Sequence, residues 1–373
     1  ASISGGFSYS ENISTEEVEK LDMEYHSKFM HGKLVVDHDV SDNLALKYGG
    51  EWILDDYSEL LRQTENDSSM QVNLVSNLVS PFAEANVYFS NKFMIRLGGR
   101  LEYNDLTEEI RLFPRASLAW KFTAFSQASL AYGAFAQSAD LQYLKWMPQL
   151  KQENAAHYIA SYQYIRDGRV FRVESYFKKY DQLTTFQSSG GQQSIISNDG
   201  YGEAKGFELF WRDNKTLKNV DYWVSYSFLD TERKYGIFPY PVMPYYASKH
   251  NMSVVYKQFF SSIKSQLGAT FSLTSGRPYS DPNTEKFNSR LTPVYKDLSV
   301  NYSYLVKPNM IIHAAVSNVL GFNNIFGYQY NVMPNEEGVY EGAAIKPQAK
   351  RFFFIGFFIT LSKDKNANQL NNL

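Results

Sequence analysis

Residues 154–180 read NAAHYIASYQYIRDGRVFRVESYFKKY, and this stretch decides the fold class. Ala156, Tyr158, Ala160, Tyr162 and Tyr164 share one parity, while His157, Ser161 and Gln163 take the other. After the turn signal Asp167-Gly168 the alternation resumes. Phe171, Val173, Ser175 and Phe177 fall on one face, and Arg172, Glu174, Tyr176 and Lys178 on the other. Strand side chains repeat every two residues, and Asp-Gly between two such runs is a strong hairpin signal. Each arm has about ten residues or more, the length with which a tilted strand crosses a bilayer.

The unit recurs along the chain. Leu44, Leu46, Tyr48 and Trp52 oppose Lys47 and Glu51; Phe93, Ile95, Leu97, Leu101 and Tyr103 oppose Arg96, Arg100 and Glu102. Ala116, Leu118 and Trp120 oppose Arg115, Ser117 and Lys121, and Phe207, Leu209 and Trp211 oppose Glu208 and Arg212. Leu298, Val300, Tyr302 and Tyr304 oppose Asp297, Ser299, Asn301 and Ser303, and Phe353, Ile355, Phe357, Ile359 and Leu361 edge the last arm. Short turns at Ser41-Asp42, Ser90-Asn91, 122–126, Asp167-Gly168, 213–218, 260–262 and Lys307-Pro308 alternate with longer polar connections. The latter are expected at 12–20, 61–70, 106–113, 138–153, 187–201, 235–248, 277–291 and 323–350. Outer-membrane barrels sort their connections this way, with short periplasmic turns and long extracellular loops. The expected fold is therefore all-β: a transmembrane antiparallel up-and-down β-barrel of about 16 strands. It is expected to fill residues 1–362, beginning with an arm from Ile3 to Ser10, with a polar, mobile tail at 363–373.

Composition fits this reading. The 373 residues hold no cysteine, which excludes disulfides and thiolate sites. A net charge of −2 without a basic cluster gives no reason to expect nucleic acid as a partner. Aromatics reach 16%, which suits membrane girdles. No apolar run is long enough for a transmembrane helix. The mean hydropathy of −0.39 is no obstacle, because a barrel carries its lipid face in every second residue. The opening Ala-Ser-Ile-Ser has no signal character, so a removed leader or an internal fragment is expected.

The polar rows must face water, since an arginine turned to lipid at the midplane costs about 2–4 kcal/mol. Arg96, Arg100, Arg115, Arg172, Glu174, Lys178, Glu208 and Arg212 are thus expected to line a lumen. A barrel of this size encloses water or a plug, so the object is a pore or a gated pore. Outer-membrane lipid is its first expected partner.

Other chemistry is weighed and set aside. Gly200, Gly202 and Gly206 miss the dinucleotide spacing and precede a strand. His26, His31, His38, His157, His250 and His313 show no zinc spacing, so no metal site is expected. Ser161 shares the face of His157, but same-face strand neighbours four residues apart are beyond hydrogen-bond reach. No enzyme and no cofactor are expected. Tyr235, Phe238, Tyr240, Tyr245 and Tyr246 crowd one loop with Pro239, Pro241 and Pro244. Rigid rings of this kind suit contact with a sugar, a haem-like molecule or an aromatic ligand. Packing of the loop upon itself is the competing reading.

At residues 198–209, NDGYGEAKGFEL, the chain resembles a strand motif of TonB-dependent outer-membrane receptors. Pro114-Arg115-Ala116-Ser117-Leu118-Ala119-Trp120, residues 150–153 followed by His157-Tyr158, Ser275-Gly276-Arg277-Pro278-Tyr279 and Asn318-Val319-Leu320-Gly321 are similar too, in the family's order. The resemblance implies the C-terminal part of a 22-stranded barrel in the cell outer membrane of a Gram-negative bacterium. It also implies an N-terminal plug as partner and, through the plug, the inner-membrane TonB complex. The function implied is energy-coupled uptake of a scarce nutrient: siderophore, cobalamin, oligosaccharide or peptide. Neither a plug-like region nor a coupling box is present, about six strands are missing, and Gln152 stands where the family often has proline. A passive porin is the alternative, since about sixteen strands is a common porin size.

Overall fold

A computed structural model describes residues 1–18, 20–63, 68–187 and 195–361. The tail expected at 363–373 lies outside the described residues. Sixteen strands pair in chain order into one antiparallel sheet. They are β1 (Ser2–Val18), β2 (Leu21–Ser41), β3 (Leu44–Gln63), β4 (Ser68–Ser90), β5 (Phe93–Asn104) and β6 (Glu109–Lys121). β7 (Ser126–Gln137), β8 (Glu153–Arg166), β9 (Arg169–Gln187), β10 (Ile195–Asp213), β11 (Val220–Lys234), β12 (His250–Phe260) and β13 (Ser265–Thr274) follow. The ladder closes its run with β16 (Tyr295–Lys307), β17 (Met310–Ser317) and β20 (Phe352–Ile359). Two small hairpins ride in the loops: β14 (Pro278–Tyr279) with β15 (Arg290–Leu291), and β18 (Gly327–Tyr330) with β19 (Gly342–Ile345). The one α-helix among the described residues is α1 (Leu141–Leu144), and a 3-10 turn lies at Ser261–Ile263. No described helix is long and apolar enough to cross a membrane, so the crossing is made by strands.

All seven short turns fall where the alternation breaks. At the 154–180 hairpin, Asp167 and Gly168 take φ of 48° and 77°, the left-handed pair that a two-residue turn needs to match strand twist. Register then carries parity around the sheet. Leu97 is opposite Ala85 and Ala116, Leu130 opposite Leu118 and Ala160, and Val224 opposite Trp211 and Val254. On β5 the distribution is inside out: Leu97 is 55% exposed whereas Glu102 is 8% exposed. A surface of this kind is stable only against hydrocarbon, with water or protein on the other side.

The apolar rows have the height of a membrane. On β6 the outward row runs from Ile110 to Trp120. Ten steps of about 3.3 Å, tilted by about 40°, give a band about 25 Å tall. Rings edge the turn side in a chain: Trp120–Phe122 at 4.3 Å, Phe122–Tyr162 at 6.5 Å, Tyr162–Phe171 at 6.2 Å and Phe171–Trp211 at 6.3 Å. Tyr132, Tyr158 and Phe177 form part of a second row, with centroids 5.1 and 6.1 Å apart. Just beyond it, charges return to the outward face. Lys179 meets Asp181 at 3.2 Å, Lys205 meets Glu203 at 3.2 Å, and Lys249 meets Asp230 at 3.5 Å.

Several expected connections prove to be strand. β1 continues to Val18, far past Ser10, and most of 61–70, 106–113 and 187–201 that is described is paired ladder. β1 to β4 therefore run for 17, 21, 20 and 23 residues, about twice what a bilayer needs. The cause is physical: past the lipid both faces meet water, so backbone pairing persists while the two-residue hydrophobic rhythm stops. β20 departs in the other direction. Its sequence FFFIGFFI is apolar on both faces, with Phe352, Phe354 and Phe358 on the side that is polar elsewhere.

Candidate functional site

The register places all eight expected lumen residues on the face opposite the apolar rows. Two of their cations are tied to carboxylates. Arg100 donates through Nη1 to Glu51 and through Nε to Glu102 at 2.6 Å, and His31 Nε2 lies 2.7 Å from Glu51. Arg212 grips Asp221 with both ends of its fork, at 2.9 and 2.7 Å. The other cations have neutral partners. Arg96 donates to Asn86 at 2.7 Å, Arg172 to Gln163 at 3.1 Å, Arg115 lies over Phe135, and Lys178 lies over Tyr176. Glu174 and Glu208 face each other directly across β9 and β10. Among the described residues no cation comes within ion-pair distance of either. Like charges in register cost stability, so this pair is a feature that wants a partner.

The long loops hold one another. The segment 138–152, with α1, connects β7 to its neighbour β8 and reaches strands on either side of that pair. Leu144 and Leu150 pack with Leu74 of β4 and Ile196 of β10. Lys145 meets Glu59 of β3 at 3.0 Å, and Glu59, only 3% exposed, also accepts from Tyr57 at 2.9 Å. The next loop leans on this one and on the strand ends: Gly236 N donates to the Thr184 carbonyl at 2.7 Å. It is joined in turn to 277–291, where the Phe287 amide donates to Tyr240 Oη at 3.0 Å. That loop is joined to 323–350 through Asn283 and the Tyr340 backbone at 2.7 and 2.9 Å. Four loops thus form one continuous collar.

Within the collar the aromatic cluster divides into two groups. Phe238, 5% exposed, is a loop core, with Tyr235 at 4.7 Å, Phe287 at 5.1 Å and Tyr245 at 6.4 Å. Burial, together with neighbouring Tyr246, pushes the Tyr235 phenol well above its ordinary range. Tyr240, Tyr245 and Tyr246 keep exposed ring surface. Phe238→Ala should therefore cost about 3 kcal/mol of loop packing, read as faster proteolysis of 235–248. Tyr245→Ala, which removes a mostly exposed ring from the edge of that core, should raise the cleavage rate less.

Asn198 and Asn318, which lie in the family-like motifs, brace backbone. Asn198 Oδ1 accepts from the Lys151 amide at 2.9 Å, while its Nδ2 donates to the carbonyls of Lys151 and Gln182 at 3.1 and 3.2 Å. It pins the collar to β10. Asn198→Ala removes three bonds of about 1 kcal/mol each, and should open 138–153 to protease without lowering the barrel's own stability comparably. Next to it, Asp199 accepts from Lys234 at 2.7 Å, from Thr185 and from Ser197 at 2.8 Å. These bonds, the lysine's first, hold its carboxyl well below the usual carboxylate range. Asn318 has φ of 48° and is braced by Phe322 and the Lys350 carbonyl. No sequence signal pointed to Glu59 with Lys145, or to Asn283 with Tyr340, because such pairs join distant parts of the chain.

The histidines are dispersed: His26 pairs with Glu11, His250 with Tyr226 and His313 with Ser303. Among the described residues no three His, Asp or Glu side chains gather as a metal site.

Comparison with known proteins gives this geometry a family. The model for the TonB dependent receptor-like β-barrel matches residues 3–324. A search of curated proteins returned no match. Among solved structures, the ferric yersiniabactin uptake receptor FyuA from Yersinia pestis superposes with a TM-score of 0.72 at 10% identity, covering 96% of this chain and 58% of that one. The ferric enterobactin receptor PfeA from Pseudomonas aeruginosa gives 0.70 at 13%, covering 91% and 55%. The outer membrane transporter YddB from Escherichia coli gives 0.68 at 13%, again 91% and 55%. The chain spans little more than half the length of these proteins. Its inside-out sheet, its ring-edged band and the match over residues 3–324 agree: the chain belongs to the TonB-dependent receptors and forms outer-membrane β-barrel wall in a Gram-negative cell.

Proposed function

We infer that this barrel serves energy-coupled uptake of a scarce nutrient through the outer membrane. The observation that carries the reading is the family match over residues 3–324, on a sheet whose polar face would line a lumen. Ligand would meet the collar first, at the exposed rings of Tyr240, Tyr245 and Tyr246. Ferric chelates head the candidate substrates because FyuA and PfeA are named for them; cobalamin, oligosaccharide and peptide follow. The polar wall of Arg96, Arg115, Arg172 and Lys178 would hydrate the passage.

The plug is the partner that this reading requires inside the wall. Support comes from Glu174 and Glu208, a like-charged pair in register with no cation within ion-pair distance among the described residues. A plug arginine or lysine set between them would relieve the repulsion with charge-assisted bonds. In the full-length protein, Glu174→Gln with Glu208→Gln should loosen the plug, read as increased antibiotic leakage into cells. Unchanged leakage would argue that no cation sits there.

The reading is tested in a strain lacking the gene, grown with each nutrient limiting. Uptake should require the gene and should stop when a protonophore collapses the inner-membrane gradient. Uptake that persists under the protonophore would identify a passive channel instead.

A further inference from the structure

Where the wall meets the collar, the bases of two loops enclose a pocket of about 180 Å³. The strand ends supply Thr274 and Tyr295, which stand directly opposite each other on the polar face of β13 and β16. The loop 277–291 supplies Arg277, and Ile325 and Phe326 of the next loop close the far side. Phe326 stacks on Tyr295, with centroids 6.1 Å apart and ring planes at 28°. The register row of Thr274 continues through Asn251 and Ser227 to Glu208, so the pocket stands on the lumen side of the wall.

Its frame is pinned from both sides. The Arg277 amide donates to Thr292 Oγ1 at 2.9 Å, and the Thr292 amide donates to the Arg277 carbonyl at 2.9 Å. Gly276 passes so close that an added Cβ would lie 1.9 Å from the Thr292 carbonyl oxygen. Across the pocket, Asn324 is held by the Lys296 amide and carbonyl at 3.0 and 2.8 Å, which sets its neighbours Ile325 and Phe326. The other arginines near the mouth are engaged. Arg290 has Asp281 at 3.9 Å, Arg351 donates to the Val319 carbonyl at 3.0 Å, and Arg233 lies 3.9 Å over the ring of Tyr180. The Arg277 guanidinium is exposed, and among the described residues no side chain or carbonyl accepts from it.

We propose that this pocket is a subsite for one flat, anionic arm of the transported ligand: a ring bearing a carboxylate, with the carboxylate on Arg277 and the ring against Tyr295 and Phe326. Charge and shape agree on that class. A guanidinium presents a planar fork that meets a carboxylate with two parallel bonds. The rings beside it offer the faces on which a second ring stacks. Size sets the limit. A cavity of about 150 Å³ accepts benzene, whereas sites for whole drug-sized ligands run to about 300–1,000 Å³. The pocket therefore takes a single ring of a larger molecule. An arginine at a mobile loop tip would serve only solubility; this one stands at a pinned loop base, where little ordering remains to be done when a ligand arrives.

The test titrates the full-length protein in detergent with benzoate and with its neutral isostere benzamide, read by saturation-transfer NMR. Benzoate should bind the wild type more tightly than benzamide. Arg277→Gln should weaken benzoate by about tenfold, the equivalent of one hydrogen bond to a charged group, and leave benzamide as it was. Arg277→Lys should restore only part of the loss, since lysine keeps the charge and lacks the fork. Phe326→Ala should weaken both probes, and Arg290→Gln, outside the pocket, should change neither. Equal affinity for the two probes on the wild type, benzoate held as well by Arg277→Gln, or benzoate weakened as much by Arg290→Gln would overturn the proposal. Should Phe326→Ala disturb its loop, the arginine variants decide alone. The inference rests on the uptake reading only for what the anion belongs to. Benzoate bound as expected, beside uptake that survives the protonophore, would keep the subsite and lose the energy-coupled transporter.

Discussion

Leu97→Arg is expected to destabilise the folded barrel by about 2–4 kcal/mol. Leu97 sits near mid-height of the outward row between Phe93 and Tyr103, and more than half its surface is presented to the bilayer. A guanidinium there loses its hydration and finds no counter-charge, because the residues opposite it are Ala85 and Ala116. The comparison is Ser161→Arg, which adds the same group on the polar face directly opposite Glu174. That change should be close to neutral, or slightly stabilising through a new ion pair with an unmatched carboxylate. Urea unfolding of both variants in lipid vesicles measures the difference. Equal midpoints would mean that the two faces meet the same medium, and the membrane assignment of the sheet would be lost.

Gly206→Ala should be nearly as damaging, although it adds a single methyl. A Cβ at Gly206 would lie 2.1 Å from the Phe228 carbonyl oxygen and 2.7 Å from Tyr176 Oη. The tyrosine can swing away, but the carbonyl belongs to the β10–β11 ladder and cannot move without disrupting it. The cost is placed toward the upper end of about 1–3 kcal/mol for overpacking. Gly50→Ala is the control, since nothing lies within 4 Å of its added Cβ. It should stay within about 0.5 kcal/mol of wild type. Heat-modifiable mobility on gels, together with the urea midpoint, reads both. An unaffected Gly206→Ala protein would show that β10 and β11 are further apart than described.

The barrel was legible because hydrocarbon enforces it at every second residue. Phe171 to Phe177 and Phe93 to Tyr103 could be assigned to faces from sequence, and register confirms each face. Legibility ends where lipid ends. ENISTEEV, residues 11–18, lacks the rhythm and yet is paired throughout, since backbone hydrogen bonds there need no lipid-facing side chain. The polar wall was half legible: parity gave its members, but which cation meets a carboxylate depends on register between strands. Arg100 and Arg212 find carboxylates, while Arg115 finds the ring of Phe135. The collar was least legible. Tyr240 with Phe287 and Asn283 with Tyr340 are contacts across dozens of residues, which no local pattern encodes.

The strand FFFIGFFI at the end of the ladder bears on how the protein reaches its membrane. Eight residues with high strand preference, no charge and no proline have the composition of a self-associating segment. On the aqueous route to the bilayer nothing in those eight residues would keep two chains apart. The unfolded chain is therefore expected to aggregate through this segment first, and a charge placed within it should raise the recovery of refolded protein.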